Sequence, residues 1–204
     1  MIRRLFLDRT AASAAEFALV LPLLILFLLG ILDASRYMWE VNKAEKATQA
    51  GARVAIVTDV LDGGLASKSY VGTIVGGVTL TQGDVIPVSA LGELRCTNTG
   101  CSCLTGTCPT VVKPADYATR FNRVFERMKY MKPGIAQTNV GITYRGAGLG
   151  FAGDPNGMEI APLVTAELTG LQFRPLILFN AVAVDLPTFR TTLTAEDSSG
   201  SQSN

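Results

Sequence analysis

The residues able to do chemistry are few and fall in two places. One is a carboxylate in apolar company: Glu16 is the only charged residue between Ala11 and Leu32, a stretch otherwise built of small, aliphatic and aromatic side chains. A carboxylate at the centre of a membrane helix costs about 2.5–3.5 kcal/mol. It is tolerated near an end, or where an opposite charge meets it, because unlike charges in a low dielectric attract strongly and relieve each other's desolvation. The other place is CTNTGCSCLTGTC, with Cys96, Cys101, Cys103 and Cys108. There is no histidine, so the commonest general base and metal ligand is missing, and serine–histidine and cysteine–histidine catalysis are excluded.

The spacing C-x4-C-x-C-x4-C has no C-x-x-C knuckle and does not suit zinc. In an oxidising compartment it reads as two disulfides on a Cys-rich loop spanning 96–108. Joining Cys101 to Cys103 would strain the bond geometry. Two pairings therefore remain: Cys96–Cys101 with Cys103–Cys108, or Cys96–Cys103 with Cys101–Cys108. Gly148, Gly150 and Gly153 match G-x-G-x-x-G, but Asp-Pro-Asn-Gly follows, which is a turn and not the helix start a nucleotide site needs. Asp154, Asn156 and Glu159 supply too few oxygens for a calcium loop. No paired carboxylates and no nucleophile motif accompany them. We therefore assign no catalytic residue, cofactor or metal, and do not read the chain as an enzyme. A net charge of +1 gives no pull toward nucleic acid.

The element that must carry Glu16 is a helix. Ala11 to Leu32 at about 1.5 Å per residue spans roughly 33 Å, enough for a hydrocarbon core of about 30 Å. Pro22 lies inside it, as membrane helices allow. Arg3, Arg4 and Arg9 precede the span with only Asp8 opposing, which favours a cytoplasmic N-terminus. A cleaved secretory signal is the alternative. Its apolar core would run about 7–15 residues, whereas Phe17–Leu32 is longer, and Leu32-Asp33-Ala34 makes a poor cleavage site. Beyond Leu32, Tyr37, Val41, Ala44, Thr48, Gly51 and Ala55 recur at helical spacing, as do Ala47, Ala50, Val54, Val57 and Leu61. One helix from about 12 to 60 is expected, its second half packed on a sheet through small residues and ended by Asp62-Gly63-Gly64.

Small residues, then Glu16-Phe17-Ala18-Leu19-Val20-Leu21-Pro22 and a leucine-rich run resemble the N-terminus of TadE-like pseudopilins of the tight-adherence (Tad, type IVc) pilus system. The resemblance is strong over 9–60, looser over 138–197 and absent over the cysteines. It implies cleavage by a prepilin peptidase between Ala11 and Ala12, where the family usually has glycine before the cut. It further implies that Glu16, beside Phe17, pairs with the new α-ammonium of Ala12 on a neighbouring subunit. The implied partners are the peptidase, other pilins and pseudopilins through the N-terminal helix, the Tad inner-membrane assembly platform and membrane lipid.

For the remainder, Thr73–Val75 and Val78–Thr81 read as short strands about a Gly76-Gly77 turn, and Val85–Ser89 as an edge strand. Lys113–Met131 reads as a helix with an apolar stripe of Phe121, Val124, Phe125, Met128 and Met131. Its other faces carry Arg120, Arg123, Arg127, Lys129 and Lys132. It is expected to pack on the domain, with the membrane surface as the rival site. Val140, Ile142 and Tyr144 share a strand face, Met158–Phe173 and Thr188–Thr194 are further strands, and Leu176–Leu186 is a strand or a short helix covering the sheet. The expected class is α+β and pilin-like: a long N-terminal transmembrane and amphipathic helix packed on a small, mainly antiparallel sheet. The expected parts are a cytoplasmic leader 1–11, a membrane helix 12–33, its periplasmic continuation 34–60, a periplasmic head 61–195 and a disordered tail 196–204. The function these imply is a minor pilin needed for assembly of an adhesive pilus. The alternative is an unprocessed single-span periplasmic binding domain.

Overall fold

The computed structural model describes residues 9–176 and 183–195, with side chains from Ser13 onward. The leader up to Asp8, residues 177–182 of the apolar stretch and the tail from 196 lie outside the described residues. The chain divides into two compact units, one formed by 1–40 with 172–184 and the other by 41–171 with 185–204.

A single helix, α1 (Arg9–Val57), contributes to both units. In the second unit one face of it is buried, through Ala44, Ala47, Thr48, Gly51, Ala52, Val54 and Ala55. The small side chains permit close approach. A Cβ on Gly51 would come within 2.6 Å of the Met128 side chain and 3.5 Å of Ala166, and Thr48 Oγ1 hydrogen-bonds Thr191 Oγ1 at 2.9 Å. The helix ends earlier than Asp62-Gly63-Gly64. Thr58 Oγ1 donates to the Val54 carbonyl at 2.9 Å and closes the last turn with a side chain. Asp62 instead starts a new short helix, α2 (Gly63–Ala66), by accepting from Leu65 N at 2.8 Å.

After α2 come β1 (Ile74–Val75) and β2 (Val78–Thr79), paired about Gly76-Gly77 with both glycines at positive φ. Val85–Ser89 is not a strand. Val85 makes one bridge to Phe151, and Val88–Ala90 forms a single 3-10 turn, as Pro87 cannot donate to a ladder. The stretch 96–108 is not an excursion either. β3 (Glu93–Cys96) and β4 (Cys101–Thr105) are a hairpin of the main sheet. The other members of that sheet are β5 (Val140–Arg145), β6 (Leu163–Leu168) and, later in the chain, β9 (Phe189–Thr194). The order is β4-β3-β5-β6-β9 and every pairing is antiparallel. The expected strand Met158–Phe173 is shorter, because Gly150 bridges Ile160 and Leu163 is the first residue in register.

α3 (Tyr117–Met131) buries Phe121, Val124, Phe125 and Met128, so its apolar stripe faces the domain and is not available to a membrane surface. Lys132 departs from its expected solvated face and is buried. It is the C-cap, with φ −128° and ψ 89°, so helical periodicity no longer assigns its direction. One face of the sheet carries Leu94, Cys96, Val140, Ile142, Tyr144, Val164, Ala166 and Leu168, all buried. The opposite face is polar. There Glu167 on β6 is bridged by Arg95 on β3 and by Arg190 Nε on β9 at 3.1 Å. Arg95 reaches across β5 at Gly141, where a Cβ would stand 2.6 Å from Glu167 Oε1.

Tyr144 closes the core by accepting from Leu61 N at 3.2 Å. Tyr70 is buried as well, and its hydroxyl has no hydrogen-bond partner among the described residues. Burial, reinforced by the nearby Glu159 carboxylate, pushes the Tyr70 phenol up to about 12. Burial, with the Asp62 charge, does the same for Tyr117. A phenol raised in the folded state holds its proton longer there than in the unfolded chain, which titrates near 10. The stability it contributes is full below pH 10 and falls as pH rises toward 12, with a slope of up to about 1.4 kcal/mol per pH unit per group. Tyr70→Phe is therefore expected to shallow the alkaline fall in melting temperature. At neutral pH it should be neutral or stabilising by about 1 kcal/mol, since it removes an unsatisfied buried hydroxyl. Thermal unfolding from pH 7 to 12 checks both, and a clear neutral-pH destabilisation would refute the unsatisfied hydroxyl.

Candidate functional site

From Ser13 to Leu32 every side chain of α1 is exposed. Phe17 is 64% exposed and Leu19 80%. This is the one helix among the described residues long and apolar enough to cross a membrane, and none of its most apolar window is buried in the protein. So large a bare apolar surface needs a cover of lipid or of other helices. Pro22 lies within the helix. Lacking an N–H, it leaves the Ala18 carbonyl without its ladder donor. Glu16 and Phe17 stand side by side one and a half turns ahead of Pro22, with Glu16 as the single charge on the bare segment. Ala11 and Ala12 are in the same helix.

Just past the apolar run the first unit closes a small collar on the helix. It is supplied by β7 (Gln172–Phe173), which pairs with β8 (Val184–Asp185), and by Leu176 just after it. The Asp33 carboxylate accepts from the Leu176 backbone N at 3.0 Å and from Arg36 Nη1 at 3.3 Å. Tyr37 meets Phe173 edge-on at 5.5 Å, and Arg36 lies 5.7 Å from the centre of the same ring. Sequence reasoning missed these partners. The available signal was Asp33 itself, a charge directly after sixteen uncharged residues and in need of hydrogen-bond donors.

The cysteines belong to the other unit. Cys96 is bonded to Cys101 and Cys103 to Cys108. The β3–β4 register decides between the two pairings, because it sets Cys96 opposite Cys101 and puts Leu94 opposite Cys103. The glycine-rich run forms turns: Gly148, Gly150 and Gly153 all have positive φ and no helix follows among the described residues. Glu159 is committed to structure, accepting from Tyr70 N at 2.7 Å. Its desolvation is outweighed by hydrogen bonds from the Gly153 and Tyr70 backbone and the Ser69 side chain, which hold its carboxyl below the usual range. Asp154 Oδ1 accepts from Asn156 N in a local turn.

A helix long and apolar enough to cross a membrane, with one carboxylate near its start and continuing into an α+β domain, defines the class of protein. Within that class, residues 11–53 match the family model described as TadE, TadE-like protein. The chain is similar to that family over this N-terminal stretch, and the match ends inside α1, short of the sheet and the disulfides. No curated protein and no solved structure matches the chain.

Proposed function

We propose that this chain is a pseudopilin, or minor pilin, that serves assembly of a Tad-type adhesive pilus. In this reading α1 anchors the chain in the inner membrane with its N-terminus in the cytoplasm. Residues 61–195 form a head in the periplasm, where two disulfides are at home. A prepilin peptidase cuts between Ala11 and Ala12. The freed chain then meets other pilins and the assembly platform through Phe17–Leu32, by van der Waals contact along the exposed helix. Glu16 sets the register by accepting the Ala12 α-ammonium of a neighbour. The role is structural, as in the TadE-like family, and involves no catalysis by this chain.

One observation carries the reading. Glu16 is the lone charge on an exposed membrane-length helix, and it lies within the segment that matches the TadE-like model. The rival, an anchored binding domain that is never processed, has no use for that carboxylate. The mature N-terminus, determined by mass spectrometry from membranes containing the peptidase, separates them. A start at Ala12 is expected. A start at Met1 would remove processing from the mechanism, and a start near Ser35 would mean a cleaved secretory signal and no anchor.

A further inference from the structure

The collar on α1 leaves a surface that anchoring alone does not explain. Leu29, Leu32, Asp33, Ser35, Arg36, Trp39 and Leu176 line a groove of about 330 Å³ that is almost wholly apolar. Leu176 is 61% exposed and Trp39 63%. An apolar groove facing water is unfavourable, at about 25 cal/mol for each Å² left uncovered, so an occupant is needed.

Its height along the helix identifies the occupant. Leu32 ends the uncharged run and so marks the edge of the hydrocarbon core. Trp39 is seven residues further, about 10 Å up the axis. The headgroup layer is roughly 5–8 Å deep on each side. Helical side chains lean toward the N-terminus, which brings the Trp39 indole back into that layer, where tryptophan is favoured. Leu176 is fixed at the depth of Asp33 by its backbone hydrogen bond to that carboxylate. Arg36 lines the groove, and Arg174, two residues before Leu176, is exposed, so both arginines can reach lipid phosphates with their stems snorkelling. Apolar floor, indole and arginines at one level match the boundary between acyl chains and headgroups.

We propose that the Gln172–Leu176 segment gives the chain a second, peripheral contact with the membrane, in which phospholipid fills the groove between Leu176 and Trp39. This contact would fix the rotation of α1 about its axis, and so the direction in which Glu16 faces its neighbours. The inference rests on the membrane-anchoring part of the reading above.

Trp39 is the only tryptophan in the chain, so depth is readable by fluorescence. The full-length protein is placed in nanodiscs at one copy per disc, with phospholipids brominated either near the headgroup or at mid-chain. Wild-type Trp39 is compared with L176W and F27W, each of the latter in a Trp39→Phe background. Trp39 and L176W are expected to lose more intensity to the shallow bromines than to the deep ones, and F27W the reverse. Quenching of F27W without quenching of L176W and Trp39 would overturn the peripheral contact and leave the anchor standing. A blue-shifted L176W that ignores both lipids would mean that protein covers the groove, and would also overturn it. F27W insensitive to either lipid would overturn the anchor and the contact together. Should L176W not fold, Leu176→Cys carrying a small environment-sensitive fluorophore reports the same depth: shallow quenching of the label supports the contact and its absence refutes it.

Discussion

Glu16→Ala is expected to abolish assembly of this chain with other pilins while leaving its membrane insertion unchanged or improved. The two effects have opposite signs for one physical reason. In the isolated chain the carboxylate is a cost, as a lone charge on an apolar helix. In the assembly proposed above it would face the Ala12 ammonium of a neighbour. At 4 Å and an effective dielectric near 20 such a pair is worth about 4 kcal/mol before desolvation is subtracted. A net loss of even about 2.8 kcal/mol per contact weakens association about a hundredfold. Glu16→Gln keeps the shape and loses the charge, so it should fail as well. Counting surface pili and cross-linking the subunits reads assembly, while carbonate extraction of membranes reads insertion. Normal piliation by the alanine variant would end the pairing model. Poor insertion would place Glu16 in the anchor's own stability.

Asp62→Ala is expected to destabilise the head by about 3 kcal/mol. Asp62 is fully buried and both of its oxygens are engaged. Oδ2 accepts from Leu65 N at 2.8 Å, and Oδ1 accepts from Val112 N at 2.9 Å. Gly63 N donates back to Val112 O at 2.8 Å, and Gly64 has no room for a Cβ because the Thr110 carbonyl lies against it. Asp62-Gly63-Gly64 is therefore the point where the segment leaving the disulfide hairpin docks before α3. Removing the cap costs about 1 kcal/mol. Each hydrogen bond to a charged acceptor contributes about 1.5–3 kcal/mol, discounted at Val112, which is partly exposed. For a domain of this size, about 3 kcal/mol lowers the melting temperature by roughly 6–12 °C. Asp62→Asn, which retains one acceptor oxygen, should recover part of it. A shift of less than a degree or two in the alanine variant would show that the docking point is not energetically important.

Both residues were visible as letters, yet only Glu16 was conspicuous by its sequence neighbours. Glu16 stands out because its neighbours in sequence are apolar, and a membrane helix is defined by sequence neighbours alone. The same holds for the small-residue stripe of α1, the apolar stripe of α3 and the alternation of β5, each a periodicity that local geometry imposes on the chain. Asp62 was read as a helix stop because Asp-Gly-Gly is a stop signal locally. Its true partner is the Val112 amide, fifty residues away, which no local rule can reach.

Other departures share that cause. Val85–Ser89 has strand composition, but the available pairing is a single bridge. Lys132 has a surface residue's chemistry, but the turn after α3 points it inward. The cysteine spacing narrowed the disulfides to two arrangements without choosing between them.

From its sequence alone this protein had a membrane-length helix with one carboxylate in apolar company, a family resemblance strongest over that helix, and the set of elements that make an α+β head. Those follow from contacts between residues a few positions apart. Tertiary structure decided the strand order β4-β3-β5-β6-β9, the Cys96–Cys101 and Cys103–Cys108 bonds and the polar face bridged at Glu167. It also decided the collar that satisfies Asp33 with the amide of Leu176. Each of these depends on which distant segments close upon each other, a choice made by the packing of the whole core and the register of its strands.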